Sequence, residues 1–294
     1  MKSANPHPWL QLLRLPNLFT VPGDVLAGYA LAHTATGSGN RSALAVLTIA
    51  SLCVYSAGLL LNDWFDQAED RVNRPERPLA RGQVAAPTVF RVGLLLILFA
   101  IGLSTLAGVF SLLVMLGLVG LVVFYTGAAR DMAAVGQISM GACRSFNVLL
   151  GASVALQSAP SALFVALAVE GGYVALLTWA ADCEDERHLS VVRQFAPVLF
   201  MTAGMVLLFF HTRASTLAMA AGLVAIAYPL AGSLVTTAKG GKCGIRYIGY
   251  LVRTLIPMQA AFILVADPSL YLWAVALYVL LAIASITGRR ISGS

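Results

Sequence analysis

Long apolar runs, broken by short polar stretches, pattern this chain from end to end. A membrane-spanning helix needs about 20 apolar residues. Runs of that kind fall near 17–36, 43–62, 88–107, 109–126, 138–157, 160–181, 195–211, 214–236, 248–266 and 269–288. They are continuous and rich in Leu, Ala, Val and Gly. Strands of a membrane barrel alternate apolar and polar residues over short segments, so these runs predict helices. The expected fold is an all-α polytopic membrane protein of ten spans. The first run lacks a small-residue cleavage site, which predicts a retained span rather than a leader.

Composition narrows the class. Of 294 residues, 59% are hydrophobic and 11% charged, with a mean hydropathy of +0.83. Soluble chains are about 45–50% apolar and about 25% charged, so a soluble fold is excluded. Disorder needs the opposite bias. No linker or soluble segment stands out, so residues 1–294 read as one transmembrane domain. The spacing suggests two pseudo-repeated helix units, about 1–157 and 158–294.

Charge placement predicts orientation. If alternate loops share a side, Lys2, Arg14, Arg71, Arg74, Arg77, Arg81, Arg130, Arg187, Arg193, Lys239, Lys242, Arg246, Arg289 and Arg290 fall together. Arg41 and Arg213 face the other way. The positive-inside rule makes the richer side cytoplasmic. The net charge of +6 therefore reflects topology and anionic lipid, and nothing suggests nucleic acid. The cysteines Cys53, Cys143, Cys183 and Cys243 have no CxxC spacing and read as small apolar residues.

The chemistry gathers in two segments on that side. After the second run stand Asn62, Asp63, Asp66, Asp70, Asn73, Arg74 and Arg77. If the helix continues, the three aspartates share one stripe at i, i+3 and i+7. Like charges so stacked repel and call for a cation. Oxygen ligands without His or Cys suit Mg²⁺, which takes one or two carboxylates and phosphate oxygens. The guanidinium forks of Arg74 and Arg77 suit phosphate. A plainer reading is a solvated loop whose acids pair with its own arginines. After the sixth run stand Asp182, Glu184, Asp185 and Glu186, with Asp182 and Asp185 on one helical face. Taken alone, that segment is also consistent with an acidic helix end. Two facing acidic clusters bridged by Mg²⁺ would clamp a diphosphate.

Charges within apolar runs are functional candidates, because they are costly in hydrocarbon. Arg144 and Asn147 share a face and predict a contact to diphosphate or acceptor, with an interhelical hydrogen bond as the plainer reading. Glu170 could orient an acceptor, act as a base or pair with Arg144. Arg253 lies near enough to a span end to snorkel.

The run NDWFDQAEDRVNRPERPLARG resembles the first signature of the UbiA-type intramembrane prenyltransferases. The family pattern stands here at Asn62, Asp63, Asp66, Asp70, Asn73, Arg74, Pro75, Arg77 and Pro78. Arg14-Leu15-Pro16-Asn17 and Tyr125 followed by Arg130 extend the likeness. It implies nine to ten helices around a central cavity open to the cytoplasmic side of the inner membrane. It also implies Mg²⁺-assisted ionisation of a prenyl diphosphate and prenyl transfer to a small cyclic acceptor, aromatic or polyol. Asp63, Asp66, Asp70, Asp182, Asp185 and Glu186 would hold metal. Asn17, Asn62, Asn73, Arg74, Arg77, Arg130, Arg144 and Asn147 would bind substrate. The aromatic faces of Tyr125 and Phe124 would steady the allylic cation. In the second signature Ala181 stands where the family has Lys, and Leu189 where it has a third Asp. A chain with that signature degraded could instead bind or transport an isoprenoid or other lipid.

Overall fold

A computed structural model describes residues 7–36, 39–155, 160–182, 189–239 and 243–291. Each of the ten apolar runs is a helix. They are α1 (Val21–Thr36), α2 (Arg41–Phe65), α3 (Ala86–Ala107), α4 (Val109–Phe124), α5 (Ala133–Ala152), α6 (Ser161–Ala181), α7 (Val191–Thr212), α8 (Thr216–Lys239), α9 (Cys243–Ala266) and α10 (Tyr271–Ile291). Two short helices, Pro8–Leu12 and Leu15–Leu18, lead into α1, and Gln67–Asn73 follows α2.

Local chemistry sets several boundaries. Asn40 caps α2, its Oδ1 accepting from the backbone N–H of Ser42 at 3.0 Å and Ala43 at 3.1 Å. Gly108 separates α3 from α4 at φ 113°, which a side chain would resist. Between α4 and α5 the chain widens into a π-helical turn, Tyr125–Ala129. Such turns re-aim side chains and recur at functional sites.

Among the described residues, eight helices are long and apolar enough to cross a membrane by length and composition. The other two, α1 and α5, are the ones that carry Asp24, Arg144 and Asn147. Both sit in the middle of the bundle, where α1 packs on α5 and on α9. Glycines allow that approach. A Cβ on Gly28 would lie 1.8 Å from the Val148 carbonyl oxygen, and one on Gly151 would lie 1.9 Å from that of Val25. Small residues at helix contacts are how membrane bundles pack closely. Helix α9 is the most enclosed, with 72% of its apolar window buried, whereas α3 and α10 present Leu95, Leu98, Leu272 and Val279 outward. The molecule is thus a multi-pass membrane bundle whose least apolar helices are innermost.

Candidate active site

Inside the bundle lies a cavity of about 360 Å³. Helix α2 supplies one wall through Ser51, Val54, Tyr55, Gly58, Leu59 and Asn62, spaced to put one helical face inward. Leu118 and Val122 of α4, Met140 of α5, Val174 and Leu177 of α6 and Leu255 of α9 make the rest of an apolar waist. One end is closed by polar groups and the other carries the acidic segment.

At the acidic end, α2 stops at Phe65, and Asp66 is the junction to the helix Gln67–Asn73. Asp66 keeps helical torsions (φ −77°, ψ −6°), so the expected stripe of Asp63, Asp66 and Asp70 survives. Arginines are its counter-ions. Arg77 Nη1 lies 2.8 Å from Asp70 Oδ2 and 3.6 Å from Asp63 Oδ1, bridging the two buried carboxylates. Arg14 Nη2 donates to Asp63 Oδ1 at 3.2 Å. Arg130, beyond the π-helical turn, pairs with Asp66 and lies 3.8 Å from Glu69. The loop's own Arg77 therefore does what the plainer reading expects, while Arg14 and Arg130 arrive from distant parts of the chain.

Asn62 completes this end. Its Nδ2 donates to Asp66 Oδ2 at 2.8 Å, and its Oδ1 is buried with no hydrogen-bond partner among the described residues. An orphaned oxygen beside a carboxylate fits a hard cation, which accepts neutral and anionic oxygens together. No three acidic, His or Cys side chains converge to hold a metal among the described residues. Mg²⁺ does not need three, because it keeps water and phosphate oxygens as ligands.

The second acidic segment is described only as far as Asp182, which ends α6 and accepts from Gln137 Nε2 at 2.7 Å. Asp185, Glu184 and Glu186 lie outside the described residues. Tyr125 lines the cavity between the two segments, as do Asn17 and Asn62. Phe124 does not, contrary to expectation: it is exposed on the outer face, because the π-helical turn begins after it and only Tyr125 is aimed inward. Asn73 is exposed beyond the mouth, and neither it nor Arg74 lines the cavity.

The opposite end holds a network that the sequence reading only half anticipates. Arg144 and Asn147 line the cavity, as their shared face implies. Arg144 does not pair chiefly with Glu170, however. Its Nη1 lies 3.1 Å from Asp24 Oδ2, and its Nη2 donates to Thr20 Oγ1 at 2.9 Å. Asn147 Nδ2 donates to Asp24 Oδ2 at 2.6 Å and its Oδ1 accepts from Ser51 Oγ at 2.6 Å. Gln259 Nε2 donates to Asp24 Oδ1 and reaches Glu170 Oε1 at 3.4 Å. Asp24, Glu170 and Gln259 are fully buried. Asp24 and Gln259 escape a residue-by-residue reading, yet an acid in a short, less apolar span is a signal of its own. Arg253 does not simply snorkel: its Nε donates to Tyr228 Oη at 3.2 Å and its guanidinium lies 5.2 Å over the Tyr250 ring.

Arg14 is the further residue missed. It lines the cavity and adopts left-handed torsions (φ 44°, ψ 53°) just before Leu15-Pro16. Such a conformation is uncommon outside glycine and marks a position held by its surroundings.

Known proteins resemble the chain in sequence and in fold. The chain is 28% identical to a digeranylgeranylglyceryl phosphate synthase of Pyrococcus abyssi over 144 residues, 49% of this chain and 51% of that one. It is 26% identical to the synthase of that name from Methanothermobacter thermautotrophicus over 179 residues, 60% and 59% of the two chains. The chain thus spans about half the length of the curated relatives it matches. A UbiA homologue from Aeropyrum pernix superposes with a TM-score of 0.67 at 13% identity, over 83% of this chain and 96% of that one. A homologue from Archaeoglobus fulgidus, solved with GPP and Mg²⁺ bound, superposes with a TM-score of 0.60 at 15% identity, over 87% and 99%. At those identities the likeness is one of fold. The sequence itself matches the UbiA prenyltransferase family over residues 24–239, and with that match the chain belongs to this family.

Proposed function

We propose that this protein moves a prenyl group from a prenyl diphosphate to a small hydroxylated acceptor, within the membrane and with Mg²⁺. The observation that carries the reading is the half-buried Asn62–Asp66 pair, with its orphaned oxygen, at the mouth of an apolar-walled cavity lined by Arg14, with Arg77 and Arg130 paired to the acids beside it. Two of the archaeal homologue structures of this fold hold GPP or DMAPP together with Mg²⁺, which supports the same reading.

Asn62, Asp66 and Asp70 would hold one ion, and Asp182 with Asp185 and Glu186 a second. The metal would offset the charge that grows on diphosphate as it leaves. The chain's own residues do the rest. Arg14, Arg77 and Arg130 can release a carboxylate and turn to phosphate oxygens, since guanidinium forks suit either anion. Val54, Leu118, Val122, Val174 and Leu177 take the isoprenoid and exclude water, which would otherwise quench an allylic cation. The Tyr125 ring, on the cavity wall next to the mouth, presents a π face to that cation. The basic residues of the loops on this side support a cytoplasmic mouth.

Mass spectrometry of lipid extracts from cells with and without the protein tests the reading. A prenylated lipid that appears with the wild type and is missing with Asp66→Asn supports it. Identical extracts contradict it.

A further inference from the structure

The closed end of the cavity is built to be polar, and its charge is already balanced. Asp24 and Glu170 are completely buried and Arg144 is 5% exposed. Gln259 ties the two acids together. Arg144 reaches the cavity with its guanidinium 5.8 Å over the Tyr55 ring, and its Nε has no hydrogen-bond partner among the described residues. The hydroxyls of Ser51 and Thr20 line the same floor.

Arg144 and Asn147 border the cavity and are each 5% exposed, so a hydrocarbon tail seated here would cover polar surface without pairing it, which is costly. A polar ligand belongs there. An anion does not, because two carboxyls stand behind the one guanidinium and leave it no positive charge to spare. Ionised phosphate and carboxylate oxygens accept hydrogen bonds, whereas a hydroxyl both donates and accepts and so suits the mixed donors and acceptors of Arg144 and Asn147. The apolar waist lies between this floor and the acidic mouth, so the polar ligand and the diphosphate would not compete for one place. Along α2, Tyr55 and Asn62 are seven residues apart, or about 10 Å of helix, room for one small ring between floor and diphosphate.

We infer that the Asp24–Arg144–Glu170 floor is an acceptor site selective for uncharged, hydroxyl-bearing molecules, and that it rejects phosphate and carboxylate acceptors. The digeranylgeranylglyceryl phosphate synthases to which the chain is similar are named for a phosphate-bearing product, so the two acceptor classes would differ. The inference rests on the prenyl-transfer reading and goes further by naming the acceptor's charge.

The test uses the detergent-purified full chain with radiolabelled geranylgeranyl diphosphate, Mg²⁺ and a small-molecule extract of its own source cells. Anion exchange splits the extract into an uncharged flow-through and a bound anionic fraction. Label is expected in a new lipid with the flow-through, at least tenfold more than with the anionic fraction. In Asp24→Asn/Glu170→Gln the guanidinium is left unmatched, and the ratio should move at least tenfold toward the anionic fraction. Glu170→Gln keeps Asp24, the direct ion-pair partner, behind Arg144, and its ratio should stay on the uncharged side. Product formed mainly from the anionic fraction, or a double variant with an unmoved ratio, overturns the inference and leaves prenyl transfer standing. No product from the flow-through, the anionic fraction or the unsplit extract removes the prenyl-transfer reading, and the inference with it. If the double variant does not fold, the wild-type and Glu170→Gln ratios decide the matter.

Discussion

Asn62 donates its side-chain amide to Asp66 over 2.8 Å and keeps its own Oδ1 buried without a hydrogen-bond partner among the described residues. Asp66 is thus held through Oδ2 by Asn62 and through Oδ1 by Arg130, while the Asn62 carbonyl is left unused. Asp63 is the more deeply enclosed of the two aspartates, and its Oδ1 faces two guanidiniums, Arg14 at 3.2 Å and Arg77 at 3.6 Å.

The two aspartates should accordingly respond differently to substitution. Asp66→Asn is expected to lower prenyl transfer at least about 100-fold, an electrostatic loss of a few kcal/mol in the transition state, with a smaller loss of thermal stability than Asp63→Asn, since one guanidinium rather than two loses a partner. Asp63→Asn is expected to lose both, unfolding about 1–3 kcal/mol more easily because two guanidiniums lose their buried partner. Thermal melting beside turnover in detergent reads the split.

Arg77 pins Gln67–Asn73 to α2 through Asp70 and Asp63. Its side chain is 23% exposed, so the two contacts are partly screened. Arg77→Gln should cost roughly 0.5–2 kcal/mol and open the segment after Phe65 to proteolysis. A protease map shows whether new cleavage falls between residues 66 and 80.

Arg144 is the counter-ion of a fully buried Asp24. Removing one partner of such a pair typically costs about 3–5 kcal/mol, whereas replacing both with apolar groups can be close to neutral. Arg144→Met should therefore melt well below wild type, and Asp24→Leu/Arg144→Met should recover most of that loss. A double-mutant cycle in thermal unfolding measures the coupling. The recovered protein should still turn over poorly, because its cavity floor is gone.

Gly151 and Gly120 make a matched pair. A Cβ on Gly151 would meet the Val25 backbone, whereas one on Gly120 meets nothing within 4 Å. Gly151→Ala should destabilise strongly by forcing α5 from α1, and Gly120→Ala should be neutral or stabilising by up to about 1 kcal/mol. Expression level and melting temperature report both.

The spans were legible because lipid leaves the backbone few alternatives to a helix, so ten apolar runs become ten helices. Helix ends were less so. The break of the first run into Leu15–Leu18 and Val21–Thr36 depends on Pro16 and Pro22, and the turn at Tyr125 on a π-helical step that no residue type announces. At the site, the first acidic segment was legible from spacing alone, since Asp63, Asp66 and Asp70 keep their stripe. Their counter-ions Arg14 and Arg130 were not, because pairing across 49 or 64 residues is fixed by packing rather than by spacing. Asp24 was hidden for the same reason: its meaning comes from α5 and α9, which bring Arg144, Asn147 and Gln259 to it.

The central claim is that the acidic mouth ionises a prenyl diphosphate with the help of a divalent cation. Release of inorganic diphosphate from geranylgeranyl diphosphate by the purified protein, titrated with MgCl₂, measures it most directly. The account predicts release that is absent in EDTA, saturates with Mg²⁺ and falls at least about 100-fold in Asp66→Asn. Release that proceeds equally in EDTA, or equally in Asp66→Asn, would contradict it.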